Sequence, residues 1–177
     1  MNLRFAGFGG QGVVMCGYIF GKAAMRDGKN AIHTQSYGSA SRGGLTSSDV
    51  GIETDQIYEL CVEELDALVA MSQQSYDAYR EKVKEGGLLI YESDLVTLHE
   101  HEPARAFGIA ATDLAYKSFG RKIIANMVMI GCVSAVTAAV SEEALTRTIR
   151  EIVPRGTEKL NLDAFREGQR MARELGG

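Results

Sequence analysis

GFGGQG, residues 7–12, follows a short apolar run from Leu3 to Phe8. It precedes a stretch in which Val13, Cys16, Ile19, Phe20, Ala23 and Ala24 recur at helical spacing. That is the strand–turn–helix context of a phosphate-binding turn, in which glycines let the backbone approach an anion. The helix N-terminus then offers free N–H groups and the positive end of its dipole. The same residues also serve as a bare strand-to-helix turn with close packing, and the motif alone does not choose. A dinucleotide fold needs an acidic residue about 20 positions further on, at the end of the second strand, for the ribose hydroxyls. The corresponding segment, Asn30 to Gln35, reads NAIHTQ and holds neither an acid nor an arginine for a 2′-phosphate. This weighs against a nicotinamide- or flavin-dependent enzyme. The amide of Gln11, followed by apolar Val13 and Val14, reads as a hydrogen-bonding group at the mouth of a site.

Working outward, Gly12, Gly17 and Gly21 let the first helix, Val13 to Arg26, lie close to a sheet, and Gly28 closes it. Strands are predicted at Asn30–Gln35, Asp49–Thr54, Ala67–Met71, Leu88–Tyr91 and Ala106–Ala110. A charged amphipathic helix is predicted at Gln74–Lys84, stopped by Gly86-Gly87. Thr112 or Asp113 is expected to cap a short helix ahead of a long apolar one from Ile123 to Val140. Ser141 caps Glu142–Ile152, Pro154 ends it, and Leu162–Leu175 is a last amphipathic helix. Strands and helices alternate throughout, so the expected fold is α/β. We expect a three-layer domain spanning 1–177, with a largely parallel central sheet and a Rossmann-like glycine turn after the first strand.

Hydrophobic residues make up 45% of the chain and charged residues 24%, an ordinary soluble composition, and the formal net charge is −4. No basic field is present to attract nucleic acid. Cys16, Cys61 and Cys132 lie far apart with no C-x-x-C pair, which suits neither a zinc site nor an iron–sulfur cluster. Scattered thiols and the lack of a visible signal peptide point to reduced, packed cysteines in a cytoplasmic protein. The uncharged Ile123–Val140 stretch is long enough to raise a membrane question. Its Asn126, Gly131, Ser134 and Thr137 fit a buried helix better.

A second loop, SYGSASRGG at 36–44, follows the second strand. Tyr37, Arg42, Gly43 and Gly44 would stand at the sheet edge where the first loop lies. There Arg42 pairs with a phosphate or carboxylate, or is simply a solvated arginine. Other candidates are weaker. His99 and His101 share a strand spacing but have no third ligand. Glu63, Glu64 and Asp66 read as a solvated turn, Met127, Met129 and Ile130 as core or interface, and Cys16 as packed rather than reactive.

At these two loops the chain resembles the gamma subunit of the 2-oxoacid:ferredoxin oxidoreductases, the group acting on pyruvate, 2-oxoglutarate, ketoisovalerate and indolepyruvate. The resemblance rests on G-x-GGQGV, Gly7 to Val13, paired with Tyr37-Gly38 and Arg42-Gly43-Gly44. It extends to Asn126-Met127 before Gly131, and to Asn161-Leu162-Asp163-Ala164-Phe165 before Gly168. Many members place proline and an acid after Tyr-Gly, where this chain has Ser39-Ala40-Ser41. The resemblance implies a subunit without catalytic residues of its own in an enzyme that decarboxylates a 2-oxoacid and reduces ferredoxin. It implies alpha and beta partners, and in some members delta, which hold thiamine diphosphate and iron–sulfur clusters. Coenzyme A is the cofactor it implies for this chain, with Gly9, Gly10, Gln11, Gly12, Tyr37, Arg42, Gly43 and Gly44 meeting either a CoA phosphate or the alpha subunit. A free-standing dinucleotide enzyme and a purely structural scaffold are the alternatives. The choice of oxoacid is expected to lie in other subunits.

Overall fold

The chain folds as an α/β domain with a six-stranded sheet and helices on both faces, although strands and helices do not alternate throughout: the second and third strands, and the fifth and sixth, follow one another with no helix between them. The computed structural model describes residues 1–38, 44–57, 63–102 and 104–176. Strand β1 (Asn2–Phe8) enters the glycine turn, and α1 (Val13–Arg26) leaves it. Strands β2 (Asn30–Tyr37) and β3 (Leu45–Glu53) form a hairpin. Then come β4 (Leu65–Ala70), α2 (Gln73–Tyr79), β5 (Val83–Glu92), β6 (Arg105–Ile109) and α3 (Ala111–Phe119). The chain ends with α4 (Ala125–Thr137), α5 (Glu142–Ile152) and α6 (Glu158–Glu174).

The strand order is β2-β3-β1-β4-β5-β6. β1, β4, β5 and β6 run parallel, whereas β3 is antiparallel to both β1 and β2. The antiparallel part follows from loop length, because 38–44 is too short for the crossover that a parallel pair requires. β3 therefore lies between β1 and β2. A dinucleotide fold would place β2 directly beside β1, so that reading fails on topology as well as on the missing acid.

Side chains alternate across the central strands. Leu3 and Phe5 of β1, Ala67 and Val69 of β4 and Ile90 of β5 pack on one face with α1, α4, α5 and α6. Ala6, Leu68, Ala70 and Leu89 pack on the other with Tyr76 of α2. Burial at this density removes each large aliphatic side chain from water for about 1.5–3 kcal/mol. Arg4, on the α2 face, pairs with Asp49 at 2.5 Å with both side chains buried, and its guanidinium lies 4.4 Å from the Tyr79 ring centre.

Several expected boundaries moved. The helix predicted at Gln74–Lys84 ends at Tyr79, followed by a 3₁₀ turn at Arg80–Lys82, and Ser72 caps it by accepting from the Ser75 N–H. Gly86-Gly87 does not stop that helix but lies inside β5, which pairs with β4 across a register shift between Leu65 and Ala67. The long apolar stretch breaks into a 3₁₀ turn, Lys122–Ile124, and α4, whose residues from Ala125 to Ser134 are all buried. Among the described residues no helix is long and apolar enough to cross a membrane. Thr112 and Asp113 do not cap α3, whose N-cap is Ala110. Ser141 does cap α5, its hydroxyl accepting from the Ala144 N–H at 3.1 Å.

Candidate functional site

The glycine turn is shaped by two residues in left-handed backbone, Gly10 at φ 101° and Gly12 at φ 77°. Such φ values cost other residues about 1–2 kcal/mol. The Gln11 N–H donates to the Phe8 carbonyl at 3.1 Å, which closes the turn. The Gln11 side chain then clamps it. Its Oε1 accepts from the Phe8 N–H at 2.6 Å, and its Nε2 donates to the Met71 carbonyl, just past β4, at 2.7 Å. So the Gln11 amide, read from sequence as a group at the mouth of a site, is held by the turn's own frame. These two bonds tie the end of β1 to the residue just past β4, and Gln11 also lines the cavity beside the turn.

The two loops meet. The Gly9 N–H donates to the Gly44 carbonyl at 3.1 Å, and the Gly38 N–H donates to the Leu45 carbonyl at 2.6 Å. Tyr37, 63% exposed, pairs in register with Thr46, whose hydroxyl lies 3.8 Å from where a Cβ on Gly9 would stand. Gly9, Gly10, Gln11, Gly12, Tyr37 and Gly44 thus share one end of the sheet, as their spacing suggested. Arg42 and Gly43 lie outside the described residues, as does Cys61.

Beside the turn, at the carboxyl ends of the parallel strands, is a cavity of about 270 Å³. Gly10 and Gln11 line it from the turn, Met71 and Leu95 from the ends of β4 and β5, Thr112 from α3, and Lys122 from the 3₁₀ turn. Leu95 and Ile123 on its rim are well exposed for apolar residues, at 45% and 65%. Glu92, at the end of β5, is fully buried under Thr112, whose N–H and hydroxyl each donate to its Oε2 at 2.8 Å. Burial pushes the Glu92 carboxyl up, and the Thr112 hydrogen bonds partly oppose the rise. Sequence reading missed Thr112 and Lys122 as neighbours of the turn, and Glu92 as the partner of Thr112, because they stand far along the chain on α3, the 3₁₀ turn and β5.

The other candidates resolve into structural roles. His99 packs near Tyr76 and faces Asp77 at 3.3 Å, and no group able to hold a metal exists among the described residues. Glu63 pairs with Lys82, and Asp66 with Lys84 at 2.9 Å, as solvated partners. Met127, Met129 and Ile130 are core. Cys16 is buried and its thiol is pushed far above the usual range by desolvation.

Comparison with known proteins agrees with this architecture. Residues 2–171 match the family model described as pyruvate ferredoxin/flavodoxin oxidoreductase. The 2-oxoglutarate synthase subunit KorC of Methanocaldococcus jannaschii is 40% identical over 177 residues, covering 98% of this chain and 95% of that protein. The crystal structure of a keto/oxoacid ferredoxin oxidoreductase gamma subunit from Geobacter sulfurreducens PCA superimposes with a TM-score of 0.87. It is 37% identical, with 98% of each chain covered. A 2-oxoglutarate:ferredoxin oxidoreductase from Magnetococcus marinus shares the fold at a TM-score of 0.88. There the identity is 23%, with 98% of this chain and 31% of that one covered. The chain therefore belongs to the pyruvate ferredoxin/flavodoxin oxidoreductase family, as a gamma-type chain of the 2-oxoacid:ferredoxin oxidoreductases.

Proposed function

We propose that this chain is the coenzyme A-presenting and docking subunit of an enzyme that converts 2-oxoglutarate, or a close 2-oxoacid, to its acyl-CoA while reducing ferredoxin. The choice of oxoacid follows the name of its relative KorC. The Magnetococcus marinus enzyme, described with 2-oxoglutarate, coenzyme A and succinyl-CoA bound, supports the choice of cofactor. Partner subunits of the alpha, beta and delta types would supply thiamine diphosphate, iron–sulfur clusters and the contact with ferredoxin. This chain holds no recognisable motif for any of them.

The observation that carries the reading is the Gly9 to Gly44 hydrogen bond, which holds the glycine turn against the residue that precedes β3, beside an open cavity lined by Gly10 and Gln11. Gly9, Gly10 and Gly12 carry no side chains of their own and Gln11 is tied inward, while the Asn126 amide lies against Gly12. In such a role the turn binds and orients the phosphate portion of CoA through backbone N–H groups at the α1 N-terminus. Tyr37 and the neighbouring loop serve either that ligand or the alpha subunit. When CoA is bound it supplies the thiol that accepts the acyl group, and the residues here hold its carrier in place.

Gly9→Ala tests this cleanly. Its Cβ would meet only the Thr46 hydroxyl at ordinary contact distance, so the fold tolerates it while the turn surface gains a methyl group. In enzyme assembled anaerobically with its partners, the expected result is a raised KM for CoA with intact assembly. Loss of assembly would assign the turn to subunit docking. Unchanged KM and assembly would overturn the reading.

A further inference from the structure

We propose that the outer edge of β2, with the groove between it and α1, is a docking site for an extended segment of the alpha-type partner subunit, which adds to the sheet as a seventh strand. The inference rests on the reading of this chain as a subunit with such a partner. The groove shares no lining residue with the cavity beside the glycine turn.

The protein treats the two edges of its sheet differently. β6, one edge, is 5 residues long and opens on Arg105, whose guanidinium lies 5.8 Å from the centre of the Phe107 ring. A short edge and a charged side chain discourage a further strand. β2, the other edge, is 8 residues long and reads NAIHTQSY, with no charge and no proline. Its register against β3 runs unbroken from Asn30 to Tyr37. The Gly38 N–H donates to the Leu45 carbonyl, and bonded pairs alternate along an antiparallel ladder, so the even-numbered residues of β2 bond to β3. Ala31, His33, Gln35 and Tyr37 turn their N–H and carbonyl groups outward, where no strand pairs with them among the described residues.

The chemistry of this edge selects its occupant. Outward groups at every second residue match an extended backbone, the geometry of strand addition. Alongside, Val14, Met15, Tyr18 and Ile152 line a groove of about 590 Å³, with His33 and Gln35 on its strand side. Tyr18 is 47% exposed, and the His33 ring is fixed by a 2.7 Å hydrogen bond with the Ser48 hydroxyl. Side chains of an added strand that point to the α1 face would enter this groove. Among the described residues no Asp, Glu, Lys or Arg lines it, although such residues make up 24% of the chain. An ionised side chain docked there would shed water without meeting a counter-charge, so the segment fits with uncharged side chains on that face. In the Magnetococcus marinus enzyme a domain of this fold is joined to further polypeptide, since this protein covers 31% of that chain. In a relative of this chain's own length, such as KorC, no peptide bond makes that join, and a docked strand can supply it.

The test compares hydrogen–deuterium exchange of peptides spanning 30–37 in the free chain, at two concentrations, and in the enzyme assembled anaerobically with its partners. The outward half of the β2 amides should exchange fast in the free chain and about tenfold or more slowly in the enzyme. Gln35→Pro removes one outward N–H and leaves the β3 ladder intact, whereas Gln35→Ala trims only the side chain. When each tagged variant competes with untagged parent for incorporation, Gln35→Pro should enter the enzyme about tenfold less and Gln35→Ala about equally. Thr34→p-benzoylphenylalanine should photo-crosslink to the alpha-type subunit. Protection in the free chain that rises with concentration would assign the edge to a second copy and overturn the proposal, as would a cross-link to another subunit. Protection without the proline effect would mean cover without strand pairing, which also overturns it. If β2 exchanges alike in free chain and enzyme, the docking site falls and the proposed function stands. A parent chain that enters no such enzyme removes both.

Discussion

Replacing Gly131 by alanine should loosen the helical layer that backs the sheet. α4 and α6 cross with their backbones in contact at Gly131 and Gly168. A Cβ on Gly131 would overlap the Phe165 carbonyl oxygen and lie 2.9 Å from the Gln169 nitrogen. A Cβ on Gly168 would overlap the Val128 carbonyl oxygen and lie 2.7 Å from its carbon. The obstacles are main chain, so no rotamer change relieves them, and the helices must part by about 1 Å or more at a close-packed interface. Overpacking of this kind costs about 1–3 kcal/mol. Alanine recovers about 1 kcal/mol of helix propensity. With rigid backbone on both sides the upper part of the range applies, leaving a net loss of about 2 kcal/mol. For a chain of this size that lowers Tm by about 4–8 °C. Gly168→Ala should behave alike, and the double variant should cost much less than the sum, since one separation accommodates both methyl groups. Urea unfolding followed by circular dichroism measures all three. A Gly131→Ala variant as stable as the parent, or more so, would show that helix propensity alone governs the site and would refute the close crossing.

Gln11→Ala breaks both amide hydrogen bonds, one to the Phe8 N–H at the end of β1 and one to the Met71 carbonyl past β4, and should cost about 1–3 kcal/mol by thermal denaturation. Glu92 titrates higher in the folded chain than in the unfolded one, so the folded state retains its proton as pH rises. Its contribution to stability is therefore fully present below the unfolded value and is lost as pH climbs through the folded value. Comparing unfolding free energies of the parent and Glu92→Gln across that window should show the difference shifting against the parent as pH increases, and a flat difference would contradict it. Burial pushes the Cys132 thiol up to about 12, and that of Cys16 further still. Both should resist iodoacetamide at pH 8 in the native state and label only after unfolding, as read peptide by peptide by mass spectrometry.

Features carried by neighbouring residues were legible in advance. The periodic apolar positions of α1, the serine that caps α5 and the glycines of the turn announce themselves within a few residues. Gly86-Gly87 misled for a related reason. A glycine pair ends a helix by local rule, but here β5 is held in the sheet by its pairing to β4, a contact that overrides propensity. Gln11 shows the same limit at the site. Its type and place suggested a polar group at the mouth of a site, but its amide partner, the Met71 carbonyl, is 60 residues away and was not legible locally.

By itself, the sequence of this protein determined the α/β class, the glycine turn between the first strand and the first helix, and the kinship carried by its two loops. Tertiary structure alone decided the antiparallel insertion of β3 beside β1 and the closure of the α3 end by Glu92. It also brought Lys122 and Asn126 to a turn more than 100 residues earlier in the chain. The physical reason is that backbone dihedrals and caps answer to residues within a turn or two. Strand order, burial and the meeting of helix ends are chosen by packing across the whole chain.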